Sequence, residues 1–241
     1  MSLVGGVDCG TERTVSTIAW LDTETKAFQL DAYIPSVVTP LPTYPSKDVS
    51  CVGFDCPQGL PIIGQKTRLA DRQANTPTRS LPQTRHDLLN NHVLYRGLIQ
   101  LGVSVFWNVF ENEQAVIYGL NAIDAPPSYN KPLIFETYPR FALDTLFGLK
   151  SSIKYIPSKR KTPIEYIDLV WHRIQRLGYT CSSIIRPTVD QVDSMLCAIA
   201  AEDVVRGSCV KVGREPFIDT EDRIIREGFI AVPGRRQERW I

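Results

Sequence analysis

Three apolar runs, far apart in the chain, each end on a carboxylate: Leu-Val-Gly-Gly-Val-Asp at 3–8, Cys-Val-Gly-Phe-Asp at 51–55 and Pro-Leu-Ile-Phe-Glu at 132–136. Runs this short and this apolar suit strands covered on both faces. Ending such a strand in a charge is costly unless the carboxylate reaches water, a hydrogen-bond donor or a metal, because burying it unpaired costs several kcal/mol. One acid in this position is usually just solvated. Three are different, because parallel strands of an α/β sheet bring their carboxyl ends to one rim, where sites form. Convergence of Asp8, Asp55 and Glu136 is therefore the working expectation.

The remaining composition sets wide bounds. With 241 residues, 43% hydrophobic and 22% charged, the chain has the balance of an ordinary globular protein with a substantial core. No linker divides it, so a single domain is expected over 1–233, followed by a polar, basic tail at 234–241. Lys plus Arg number 27 against 26 Asp plus Glu, a net charge of +1, which argues against a wide nucleic-acid footprint and leaves room for a short phosphate contact. The six cysteines show no Cys-x-x-Cys pair, which suits reduced thiols in a cytoplasmic protein. No leader and no run of 18 apolar residues is present, so secretion and membrane spanning are not expected. Nothing in the sequence fixes the oligomeric state, which leaves a homodimer open.

Segments 14–20 and 28–34 follow the first run, and the second alternates, with Phe28, Leu30, Ala32 and Ile34 on one face. With Asp22-Thr-Glu-Thr-Lys26 as a polar turn between them, the first three segments predict an antiparallel meander. Four prolines between Pro35 and Pro45 argue for an extended connection. Helical spacing recurs over 85–101 and 163–177. A further helix should start at Thr188, which with Gln191 forms a capping-box pattern ahead of the apolar stripe Val192, Met195, Leu196 and Ile199.

The first turns of that last helix carry Asp190 and Asp193, three apart and so on one face. Asp190 is accounted for by the positive end of the helix, worth about 0.3–1 kcal/mol to an acid, whereas Asp193 lies a turn further in. Oxygen ligands without a His or Cys cluster favour Mg²⁺ or Mn²⁺ over zinc. The three histidines, His86, His92 and His172, lie near no nucleophile motif, and no Gly-x-Ser-x-Gly is present. Gly5 and Gly10 have P-loop spacing, but Thr11 stands where the lysine belongs.

Taken in order, Gly6-Val-Asp8-Cys-Gly-Thr11, Phe54-Asp55-Cys-Pro-Gln-Gly-Leu-Pro61, Arg68-x-x-Asp71-Arg72, Glu136-Thr-Tyr-Pro139, Lys159-Arg-Lys-Thr162, Asp190-x-x-Asp193-x-x-x-Cys197-Ala198 and Glu227-Gly-x-Ile-x-x-Pro233 resemble the domain-of-unknown-function family 429, predicted nucleases with a ribonuclease-H-like fold. The resemblance implies a mixed five-stranded sheet of order 3-2-1-4-5 flanked by helices, with similarity to Holliday-junction resolvases. It implies Asp8, Asp55, Asp190 and Asp193 as ligands of Mg²⁺ or Mn²⁺, Glu136 as a fifth acid of open role, and nucleic acid as substrate. The family's fold normally places a helix between the third and fourth strands, where this chain is short and proline-rich.

Arg68, Arg72, Arg79 and Arg85 follow the second acid, and Lys159, Arg160 and Lys161 precede a helix. Arg68, Arg72, Lys159 and Lys161 are thus candidates for orienting phosphates, with an ordinary solvated face as the competing explanation. Arg68 and Asp71 are also placed to pair across one turn. Two other functions fit the opening motif: an actin-like or sugar-kinase-like ATPase, whose second Asp-x-Gly phosphate loop is absent from this sequence, and a scaffold that keeps the fold without turnover.

Overall fold

The computed structural model describes residues 2–11, 14–34, 41–42, 49–77, 80–90, 95–124, 131–148 and 164–234. Strands β1 (Leu3–Asp8), β2 (Ser16–Asp22) and β3 (Ala27–Tyr33) form the predicted antiparallel meander, turned by Asp22, whose Oδ1 accepts from the amides of Glu24 and Thr25. Strand β4 (Val49–Phe54) lies parallel to β1 on its other side. The two-residue β5 (Val116–Ile117) pairs with the start of β6 (Leu133–Glu136), which itself lies parallel to β4. Strands β7 (Val210–Asp219) and β8 (Ile224–Val232) form a hairpin that joins β6 through one parallel pair, Glu136 with Ile230.

The order is therefore β3-β2-β1-β4-β6-β8-β7, with β5 off the path. The resemblance implies five strands and eight are present among the described residues, a correction at the β6 side of the sheet. Its physical reason lies in the hairpin. Gly213 and Gly228 have φ of +114° and +122°, and Glu227 has φ of +60°. The ladder shifts register between Arg214 and Phe217. Such a bulged pair loses the alternation by which strands are recognised. Its charges are structural: Arg226 is 1% exposed, with its guanidinium bonded to Asp219 and Asp222 at 2.5 Å each.

Helices α1 (Leu69–Gln73), α2 (Arg85–Asn90), α3 (Arg96–Glu111), α4 (Pro139–Phe147), α5 (Ile164–Arg176) and α6 (Val189–Val205) cover the sheet. The single helix expected over 85–101 is two, α2 and α3, and α3 runs on to Glu111 because Val103, Val105, Phe106 and Val109 continue its buried face. Helices α4, α5 and α6 pack on one face of the sheet with Val4, Ala19, Cys51 and Phe135. Helix α3 packs on the other with Val7, Val52, Phe54 and Ile134. Among the described residues no helix is long and apolar enough to cross a membrane. Of the prolines in the expected extended connection, Pro35, Pro40 and Pro45 lie outside the described residues, as does the tail beyond Gly234.

Helix α6 sets the geometry of the site. A Cβ placed on Gly6 would lie 2.1 Å from the Ala198 amide nitrogen and 2.2 Å from the Ser194 carbonyl oxygen, and one on Gly53 would lie 3.0 Å from the Cys197 carbonyl oxygen. Only glycines let α6 approach β1 and β4 this closely. Since strand side chains alternate, Asp8 and Asp55, two positions beyond those glycines, project toward the α6 face of the rim.

Candidate carboxylate site

Asp8 ends β1 with 5% exposure, and Asp55 follows β4 half-buried, its amide donating to the Val7 carbonyl at 2.9 Å, so the two acids are cross-strand neighbours. Helix α6 begins at the same rim. The Thr188 hydroxyl accepts from the Gln191 amide at 3.2 Å, and the Thr188 amide in turn donates to Gln191 Oε1 at 2.8 Å, completing the capping box predicted from the sequence. This start places Asp193 inward at 4% exposure and leaves Asp190 exposed. We expect Thr188→Ala to cost about 1 kcal/mol, and a thermal melt should fall by roughly 2–4 °C.

One thiol reports on the convergence. Burial pushes the Cys197 thiol well up, and the carboxylates of Asp55, Asp8 and Asp193 all push it further. The three acids thus lie on the same side of the molecule as Cys197: Asp8 at the end of β1, Asp55 just after β4, and Asp193 one turn ahead of Cys197 on α6. Two residues that the sequence reading did not single out border them. Burial pushes the Tyr138 phenol up to about 12, Arg140 pulls it back by charge and by a hydrogen bond, and Asp55 and Asp193 both add to the rise. Pro139 at the first position of α4 is the signal that places Arg140 on a helical first turn at this rim.

Glu136 lies elsewhere. Its partner in the β4 ladder is Phe54, not Asp55, and Phe54 in turn pairs with Val7. That offset of one residue turns Glu136 to the α3 face, opposite Asp8 and Asp55. There Arg68, 0% exposed, donates to Glu136 Oε2 at 2.6 Å and Oε1 at 2.7 Å, and to Asp71 Oδ2 at 2.8 Å and Oδ1 at 2.9 Å. The Gln58 amide adds 2.9 Å to Glu136 Oε2, and the Thr76 hydroxyl 2.8 Å to Asp71 Oδ1. Burial pushes the Glu136 carboxyl above its ordinary range even though Arg68 pulls it down. The expected grouping of Glu136 with the aspartates, and of Arg68 with a bound phosphate, does not match this placement: Arg68 is clamped inward between two carboxylates. Its pairing with Asp71 across one turn is as expected. Arg72 is exposed, Arg85 donates to the Arg223 carbonyl at 3.2 Å, and Arg79, Lys159, Arg160 and Lys161 lie outside the described residues.

The all-oxygen set of Asp8, Asp55, Asp190 and Asp193 suits a hard divalent cation. Among the described residues, however, no three His, Cys, Asp or Glu side chains are gathered closely enough to hold a metal ion. The donors fit in kind, and their carboxylates would have to close further to share an ion. No family model, curated protein or solved structure matches the chain.

Proposed function

We propose that the rim of Asp8, Asp55 and Asp193 is the active site of a divalent-cation-dependent phosphodiester hydrolase, a nuclease on a ribonuclease-H-like core, and that the motif resemblance reflects membership of that family. The supporting observation is that Asp8 and Asp55 end adjacent parallel strands, the helix packed against both carries Asp193, and Asp8 and Asp193 are almost fully withdrawn from water. Buried charges packed together are unfavourable for folding alone, and acids arranged this way are characteristic of sites that bind a cation. The β3-β2-β1-β4 portion of the sheet is compatible with the strand order that the resemblance implies.

Mg²⁺ or Mn²⁺ bound there would supply a water acidic enough to attack at neutral pH and a counter-charge for the leaving oxygen. Asp8 and Asp193 provide fixed negative charge in a dry setting, where attraction for a cation is strongest. Asp55 is the partly exposed member, and Asp190 lies at the outer edge of the same helix. Arg140 and the positive end of α6 stand at the rim, where a substrate phosphate needs compensation.

The test is direct. The protein with Mn²⁺ should cleave a labelled single-stranded, hybrid or branched nucleic acid, and Asp8→Asn should reduce cleavage to background while retaining a cooperative melt. Mn²⁺ should raise the melting temperature of the unaltered protein, by the equivalent of about 2.7 kcal/mol at a hundredfold excess over Kd, and should leave Asp8→Asn unmoved. Equal cleavage by Asp8→Asn would remove this mechanism. Stabilisation by Mg-ATP with none by Mn²⁺ would favour the ATPase, and silence in both arms the scaffold.

A further inference from the structure

The hydrogen bonding between β1 and β4 repeats between β4 and β6: the Asp55 amide donates to the Val7 carbonyl at 2.9 Å, and the Thr137 amide donates to the Phe54 carbonyl at 2.9 Å. Thr137 therefore stands to Asp55 as Asp55 stands to Asp8, and the three form one row across neighbouring parallel strands. They also share a face. Phe135, two positions before Thr137, packs in the core with the residues of α6, and a Cβ on its ladder partner Gly53 would meet its ring at 2.7 Å. Strand alternation then turns Thr137 toward α6, as it does Asp8 and Asp55, and turns Glu136 the other way.

Thr137 is 2% exposed, and its hydroxyl has no hydrogen-bond partner. Buried hydroxyls are nearly always bonded, since an unmade bond forfeits what the group had in water. Asp55, its neighbour in the row, is half-buried and carries acceptor oxygens of the kind this donor lacks. A carboxylate that holds an ion is characteristically oriented by a hydrogen bond from a second group. We propose that Thr137 is the positioning residue of the cation site: its hydroxyl donates to one carboxylate oxygen of Asp55 and so aims the other at an Mg²⁺ or Mn²⁺ shared with Asp8 and Asp193. The inference rests on the hydrolase reading. The hydroxyl then destabilises the metal-free protein, where it is unbonded, and contributes to the affinity for the ion, so the two measurements should move in opposite directions.

Thr137→Val removes the hydroxyl at nearly constant volume. Its metal-free melting temperature should equal or exceed the parent's, because no hydrogen bond is lost. Titration calorimetry with Mn²⁺ on the full chain, without nucleic acid, should show affinity weaker by about 10- to 100-fold, the usual loss when a group that orients a metal ligand is removed. Thr137→Ser keeps the donor and should bind Mn²⁺ as the parent does. Parent-like Mn²⁺ affinity in Thr137→Val would overturn the assignment and leave the hydrolase reading standing. So would a metal-free melt below the parent's, which would show the hydroxyl already bonded, or a Thr137→Ser protein as weak as Thr137→Val, which would show that packing matters rather than the donor. Absence of Mn²⁺ binding by the parent would remove the cation site itself and the role of Thr137 with it.

Discussion

Replacing Arg68 by methionine should destabilise the protein by about 3–5 kcal/mol, because it leaves Glu136 and Asp71 facing each other in the interior without their shared cation. The change in volume is small, so the loss reflects charge more than packing. Lysine should not rescue it: one ammonium cannot replace four hydrogen bonds from a planar fork. The defect should also depend on pH. Glu136 titrates above its ordinary 4.5 in the folded protein, so its contribution favours folding at acid pH and is lost as pH rises through the folded value. Removing Arg68 removes a charge that lowers that value, so the folded pKa climbs further. The gap in melting temperature between variant and unaltered protein should be widest near neutrality and narrow toward pH 5. A gap that widens on acidification would show that Glu136 is not the residue left stranded.

Gly6→Ala should be nearly as damaging, for a steric reason. The added methyl would meet backbone atoms of α6 at 2.1 Å and 2.2 Å, and neither can rotate away as a side chain could. Overpacking typically costs 1–3 kcal/mol, and a clash with the main chain of a packed helix belongs at or above the top of that range. A melting temperature lower by roughly 10 °C is expected. Because α6 also carries Asp193, the surviving folded protein should lose the Mn²⁺-dependent stabilisation expected of the proposed site as well. Gly53→Ala is the milder companion, since its closest contact is the Phe135 side chain at 2.7 Å rather than backbone, with α6 backbone at 3.0 Å. A Gly6→Ala protein that melts like the parent would mean that α6 sits further from β1 than described.

What the sequence conveys well is whatever depends on local pattern. The meander and the Thr188 cap follow from apolar runs, turn residues and a capping motif, all read within a few positions, whereas the adjacency of Asp8 and Asp55 is an expectation from the motif resemblance. The face of Glu136 is not local. It depends on whether Glu136 pairs with Phe54 or Asp55, and an apolar run ending in an acid looks the same in either register. Arg68 is hidden for a related reason: its basic neighbours suggest a solvated cluster, and only the fold places two carboxylates around it. The β7–β8 hairpin escapes because Arg226-Glu227-Gly228 interrupts a fully covered strand with charge, as an exposed turn would. Thr137 carries no signal at all, since an orphaned hydroxyl becomes visible only once its surroundings are known.

Asp8 is delivered by the first strand, whereas Asp193 arrives on the last helix, which also seals Gly6 and Gly53 from water. During synthesis the early strands must therefore wait, their α6-facing surface uncovered, until the segment through Val205 has left the ribosome. Fragments ending before α6 should be sticky and, if the proposed site is real, inert, so no partly built form of the protein would be active.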